Sequence, residues 1–297
     1  MAQRPIDYAG YLLDVLGKKF SKTPISQIPG AKIVYSKIQE KIKTRQYEAA
    51  NVPQKITYRG KLLYVFPNSE WAKQLYVEGR FSVEDEHEWD IFRKHISAGD
   101  TVFDVGAFVG THSILMYQLV GDTGRVYAFE PQPECADLIQ KTFTVNNMEN
   151  CTVANKAAGA ETTVTSLQTS EAGETTSNIV GSDPWKKHDK SVDVEMIRLD
   201  EYMDKNQVQT VDFMKIDVQG AGLEVIKGLG EKLHDVEVIY IEIHSKYIVD
   251  TTKTVEELFE ILNDYGNIIR LDTNDQQVIE RPEEITFDRR QPDILWM

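Results

Sequence analysis

The spacing of apolar positions changes character near residue 86. Tyr8, Tyr11, Leu12, Val15 and Leu16 recur at helical spacing, and Ile33 to Ile42 repeats the pattern more weakly. Pro5 to about Ala50 therefore predicts helix in two pieces, punctuated by Pro24 and Pro29. KITYRGKLLYVF predicts a hairpin, with two β-rich runs flanking Arg59-Gly60. From Glu86 onward, short apolar runs alternate with amphipathic helices. EWDIFRKHI is a helix ending at Ala98-Gly99, TVFDVG a strand, THSILMYQLV a helix and RVYAFE a strand. ECADLIQKTFTVNN and CTVANKA repeat the pair. After a polar tract come the strand DFMKIDV, the helix AGLEVIKGLGEKL, the strand EVIYIEI, the helix VEELFEILNDYG, then NIIRL and DILWM. Such alternation predicts a parallel sheet covered on both faces, an α/β doubly wound domain. The tract from Thr162 to Ser191, rich in Thr, Ser, Gly and Lys, predicts an exposed loop or short hairpin. The chain thus divides into an N-terminal helical and β-hairpin appendage, residues 1–83, and an α/β domain, residues 84–297.

Composition narrows the function classes. A chain of 297 residues with 41% hydrophobic and 27% charged residues has enough apolar content for a full core, which excludes disordered and fibrous architectures. Its net charge of −14 opposes a phosphate backbone, so nucleic acid is not the expected partner. Two cysteines, Cys135 and Cys151, make neither a disulfide framework nor a cysteine-rich zinc site. No apolar run reaches the length of a transmembrane helix and the first twenty residues lack a signal-peptide core, so a cytoplasmic protein is expected.

The chemistry concentrates around Asp104-Val105-Gly106-Ala107-Phe108-Val109-Gly110-Thr111, between a strand and a helix. Gly106 can turn tightly and let a ligand lie against the backbone, and Gly110 lets helix and strand approach. No third glycine completes a dinucleotide fingerprint, and Asp104 at the mouth of the turn would repel a pyrophosphate. An acid there suits a ligand carrying an ammonium or ribose hydroxyls. Glu130, at the carboxyl end of the next strand, can accept hydrogen bonds from both hydroxyls of a ribose.

GDTVFDVGAFVGTHSILM, GRVYAFEPQPECADLIQKTFTVNN, RLDEYM, VDFMKIDVQGAG and IEIH together resemble the FkbM family of S-adenosylmethionine-dependent methyltransferases, over about Asp85 to Gly266. The resemblance implies a class I methyltransferase (Rossmann-like) fold, a seven-stranded sheet whose last strand, DILWM, runs antiparallel. It implies S-adenosyl-L-methionine as cofactor and a hydroxyl on a sugar, glycan or small metabolite as acceptor. Asp104, Gly106, Ala107 and Gly110 would border the methionine part, Glu130 would hold the ribose, and Ala157 and Ala158 would lie near the adenine. Asn155 is a candidate for the adenine amine. Where the family reads KIDVEGAE, this chain has Gln219 and Gly222 in place of two acids, and Phe108 stands where a small polar residue is usual. A cofactor-binding protein that has lost turnover is therefore one alternative, and a nicotinamide-dependent oxidoreductase another.

Methyl transfer to a hydroxyl needs alignment and a group that takes the proton. Lys215 and Asp217 share one face at the end of DFMKIDV, and Glu242 and His244 share a face of the next strand. His244 has the intrinsic pKa of a general base, with Asp217 orienting it or the acceptor. The same residues could instead be a buried ion pair around Lys215, or a divalent-metal site of Asp217, Glu242 and His244. His112, after the glycine turn, could cap the helix. Asp85 or Glu86 could reach the cofactor's ammonium, and the appendage's Tyr58, Tyr64, Phe66, Trp71, Tyr76 and Phe81 predict a small core at a domain junction more readily than a sugar-stacking lid.

Overall fold

The computed structural model describes residues 31–50, 52–66, 70–78, 83–169, 190–244, 251–263, 266, 268–271, 276–279 and 293–297. The helical expectation around Tyr8 to Leu16 lies outside them, as do Phe81 and the side chains of Trp71, Asp85 and Glu86. The chain divides into two compact units, Met1–Ile56 with Val65–Phe81, and Thr57–Tyr64 with Ser82–Met297. Among the described residues no helix is long and apolar enough to cross a membrane.

The first unit holds helices α1 (Ala31–Glu48) and α2 (Glu70–Glu78). The Tyr47 ring packs 5.4 Å from that of Tyr76, and its hydroxyl donates to the Phe66 carbonyl. Ring contact buries apolar area here while the phenol keeps a polar partner at its edge. Strands β1 (Gln54–Tyr58) and β2 (Lys61–Val65) form the expected hairpin. Arg59 (φ 45°) and Gly60 (φ 78°) both take the left-handed conformation that a two-residue primed turn demands.

In the second unit, α3 (Val83–His95) leads into β3 (Thr101–Val105), α4 (Thr111–Val120), β4 (Arg125–Phe129), α5 (Pro133–Val145) and β5 (Cys151–Ala154). Then come β6 (Ala157–Ala158), β7 (Thr163–Thr169), β8 (Lys190–Ile197), α6 (Leu199–Lys205), β9 (Phe213–Ile216), α7 (Gly222–Leu229) and β10 (Ile239–Glu242). The series closes with α8 (Thr251–Asn263), β11 (Ile268–Leu271), β12 (Gln276–Ile279) and β13 (Asp293–Trp296). Among the described residues the main sheet has eight strands, in the order β12-β11-β13-β10-β9-β3-β4-β5. This is the class I methyltransferase arrangement with one addition. The expected seven strands are present, with β13 antiparallel to both neighbours, and β12 adds an eighth at the edge, antiparallel to β11. Of the polar tract after β6, the described ends β7 and β8 pair antiparallel and β6 joins β8, giving a sheet of three strands among the described residues; the expected loop between them, residues 170–189, lies outside those residues.

The central strands of the main sheet are buried along most of their length because both faces carry apolar side chains, as a parallel sheet requires. Phe103, Tyr127 and Phe129 pack around Tyr202 with ring centroids 4.7–6.2 Å apart. Each of the fully buried rings is worth about 1.5–3 kcal/mol of transfer free energy. The core continues through Met214, Ile216, Val225, Ile241, Leu258 and Trp296.

Candidate active site

The chain leaves β3 toward β4 and β5 on one side, then returns to place β9 and β10 on the other. That reversal opens a crevice at the carboxyl ends of β3 and β9, where open α/β sheets bind ligands. At its centre Gly106 turns with φ 84°, and the N–H groups of Gly106 and Ala107 both donate to the Phe129 carbonyl at 3.0 Å. A Cβ on residue 106 would stand 1.8 Å from the Asp217 carbonyl oxygen. Only glycine allows the β3 turn and the segment after β9 to meet backbone to backbone. At Gly110 (φ 86°) a Cβ would meet Ile139 on α5 at an ordinary 3.4 Å, so conformation rather than size selects glycine there.

Asp104 is fully buried. Its Oδ2 accepts from the Ser113 hydroxyl at 2.6 Å, while its buried Oδ1 has no hydrogen-bond partner among the described residues. An unsatisfied buried carboxylate oxygen costs stability and marks a place where a donor belongs. Glu130 is buried at the end of β4, with Oε2 accepting from the Phe108 N–H and Oε1 from the Gln132 N–H, both at 2.8 Å. Burial pushes its pKa up to about 8 despite those two donors. A carboxylate offers about four lone-pair sites, so two remain for further donors. Phe108 reaches this bond through a left-handed backbone, φ 51°.

Asn155 spends its side-chain N–H groups on the carbonyls of Glu130 (2.8 Å) and Pro131 (3.0 Å), which ties the end of β5 to the end of β4. Beside it lies a cavity of about 470 Å³ lined by residues including Pro131, Ala154, Asn155, Lys156, Glu195 and Tyr202. Ala158 belongs to the main hydrophobic core, and Ala157 packs with Leu167 and Val194 in a smaller cluster.

Across the crevice, β9, β10 and the residues just past them bring Lys215, Asp217, Glu242 and His244 together, as their spacing predicts. Lys215 is fully buried, with Nζ 3.1 Å from Asp217 Oδ2 and 3.7 Å from Glu242 Oε1. The other carboxylate oxygens turn to His244 Nε2, Asp217 Oδ1 at 2.8 Å and Glu242 Oε2 at 3.5 Å. Burial alone would lower the lysine's pKa, but Asp217, Glu242, Asp104 and Glu88 outweigh it and hold the ammonium well above its usual range. Burial likewise works against ionised Asp217, and Lys215 with His244 outweighs it, so this carboxyl sits well below the usual carboxylate range. Gln219, at φ 50°, lays its amide nitrogen 3.3 Å from Asp217 Oδ1.

A third group has no sequence signature. Glu88 on α3 receives His112 Nε2 at 2.6 Å and the Tyr240 hydroxyl at 3.4 Å. Its burial, which raises its pKa, is outweighed by His112 and Lys215. His112 therefore pairs with an acid 24 residues earlier, a partner that helix-capping logic does not suggest. The Ser113 hydroxyl that fixes Asp104 is equally silent in the sequence, since its position follows only from how α4 lies against β3.

Residues 104–269, more than half of the chain, match the family model described as the methyltransferase FkbM domain. The chain is 26% identical over 214 residues to a hexuronic acid methyltransferase, AglP, of Haloferax volcanii, covering 69% of this chain and 78% of that protein. It is 24% identical over 186 residues to the methyltransferase sdnD of Sordaria araneosa, covering 52% and 71%. Among solved structures, a methyltransferase FkbM from Methylobacillus flagellatus superposes with a TM-score of 0.44 at 15% identity, over 90% of this chain and 60% of that one.

Proposed function

The chain belongs to the FkbM methyltransferase family, and from that premise we propose that it transfers a methyl group from S-adenosyl-L-methionine to a hydroxyl of a sugar, glycan or small metabolite. The observation that carries the reading is the buried Oδ1 of Asp104, without a hydrogen-bond partner among the described residues, beside a glycine turn with no room for a side chain. A donor such as an amino group satisfies that oxygen, and the remaining lone pairs of Glu130 suit a ribose diol. The side-chain oxygen of Asn155, whose nitrogen is already engaged, is the acceptor for an adenine amine. The cofactor supplies a methyl group on a sulfonium, an electrophile that no side chain provides.

Asp104 and Glu130 hold and orient; Lys215, Asp217, Glu242 and His244 form the acceptor side, where the hydroxyl loses its proton as its oxygen attacks. Lys215 keeps both carboxylates in place, which holds the groups that align the acceptor. The similarity to a protein named as a hexuronic acid methyltransferase supports a sugar as the acceptor class. Calorimetric titration with S-adenosylhomocysteine tests the reading. Binding is expected for the wild type and weaker binding for Asp104→Ala. Neither heat nor a thermal shift at millimolar ligand would sink it.

A further inference from the structure

We propose that Asp217 Oδ1, Glu242 Oε2 and His244 Nε2 form the binding site of a divalent cation of the Mg²⁺ and Mn²⁺ class, a proposal that rests on reading the β9–β10 cluster as the acceptor side of the site. Asp217, Glu242 and His244 each offer one ligand atom, all within 4.8 Å of one another, and His244 Nε2 stands 2.8 Å from Asp217 Oδ1 and 3.5 Å from Glu242 Oε2. An ion bound at about 2.0–2.2 Å needs adjacent ligands roughly 3 Å apart and opposite ones no more than about 4.4 Å. The two separations from Nε2 fit adjacent ligands, and any pair near the 4.8 Å bound must close by a few tenths of an ångström on binding the ion.

The way each carboxylate is divided sets this cluster apart from surface acids. Asp217 Oδ2 and Glu242 Oε1 face the fully buried ammonium of Lys215, and only the other oxygen of each turns toward the imidazole. Lys215 thus orients the ligands from behind, as outer partners do at metal sites. His244, 8% exposed, presents its Nε2 edge on the same side. Gln219 places its amide 3.3 Å from Asp217 Oδ1 and 3.4 Å from His244 Nε2. Amide oxygen and nitrogen exchange places on a half-turn, so its oxygen completes a fourth donor. The donor set of two carboxylates, an imidazole and an amide oxygen favours hard, six-coordinate ions, with positions left for the acceptor hydroxyl. The side chains of Asp217 and Glu242 are 23% and 18% exposed, so the site is reachable.

At such an ion the acceptor oxygen is polarised and its proton is released to solvent. The oxygen forms the new bond to the methyl carbon as the carbon–sulfur bond breaks, and that electron pair stays on sulfur.

The test uses the full chain, stripped with EDTA and desalted, and titrated with Mn²⁺ while the free ion is followed by electron paramagnetic resonance. One Mn²⁺ per chain is expected, competed by Mg²⁺, with affinity reduced at least about tenfold in His244→Ala and Glu242→Gln. Cooperative thermal unfolding followed by circular dichroism confirms that each variant is folded, and S-adenosylhomocysteine titration is run alongside. Stripped protein that binds S-adenosylhomocysteine and takes up no Mn²⁺ overturns the cation site and leaves the methyltransferase reading standing. Equal uptake by wild type and both variants also overturns it. Mn²⁺ uptake lost in both variants, with no binding of S-adenosylhomocysteine, would keep the cation site and remove the methyltransferase reading.

Discussion

The two walls of the crevice are built from different materials. The wall after β3 and β4 is largely backbone: a glycine at φ 84°, two N–H groups on the Phe129 carbonyl, and two more on the Glu130 carboxylate. The wall after β9 and β10 is side-chain charge, two carboxylates and an imidazole gathered around one buried ammonium. Backbone geometry survives most substitutions but has no tolerance where a Cβ would intrude. A charge cluster depends on its counter-ion, because an uncompensated buried charge costs far more than the pair contributes.

The largest expected effect attacks the charge-built wall. Lys215→Met leaves Asp217 and Glu242 facing each other without a cation, and urea unfolding should show a loss of about 3–5 kcal/mol. A loss under about 1 kcal/mol would mean that the wall does not depend on that ammonium. Gly106→Ala strikes the place where the walls touch. The new methyl would meet the Asp217 carbonyl, so stability should fall by about 2–4 kcal/mol, with cofactor-product binding lost in the folded fraction. Unchanged stability and affinity in the Gly106→Ala protein would show that the backbones can part freely.

Glu130→Ala separates the walls. At about pH 9, where Glu130 is ionised, binding of S-adenosylhomocysteine should weaken by about 1.5–3 kcal/mol, the scale of hydrogen bonds to a charged group, without affecting the Lys215 cluster. Unchanged affinity would remove Glu130 from the cofactor site. The smallest effect concerns pH. Folding raises the pKa of Glu130 from the ordinary 4.5 to about 8, so the folded state binds the extra proton. Its contribution to stability is full below pH 4.5 and is lost as pH rises through 8. Glu130→Gln removes this dependence. Between about pH 5 and pH 9 the wild type's melting temperature should fall relative to the variant's by roughly 2–8 °C, and parallel profiles would contradict it.

What could be read along the chain was local. Asp104, Gly106 and Glu130 declare themselves because strand ends, turn glycines and the next strand's last residue are close in sequence. Lys215 with Asp217, and Glu242 with His244, follow from alternation on adjacent strands. The eighth strand was not legible: β12 reads QQVI, too short and too polar to show alternation, and it pairs only because β11 offers an edge. The Glu88–His112 pair joins two helices 24 residues apart, and no local period links them. Asn155 edges the cavity, while Ala157 and Ala158, which the resemblance sets near the adenine, lie in hydrophobic clusters, a division of packing that no local pattern carries.

The sequence by itself determined the alternation of strands and helices, the strand-end acids and the glycine turn, because each follows from short-range sterics and periodicity. Tertiary structure alone decided how those groups share their atoms. It assigned one oxygen of each carboxylate to Lys215 and the other to His244, and left Asp104 Oδ1 without a partner among the described residues. Hydrogen bonding and ion pairing act over about 3 Å, and only the packing of distant strands fixes which atoms come that close.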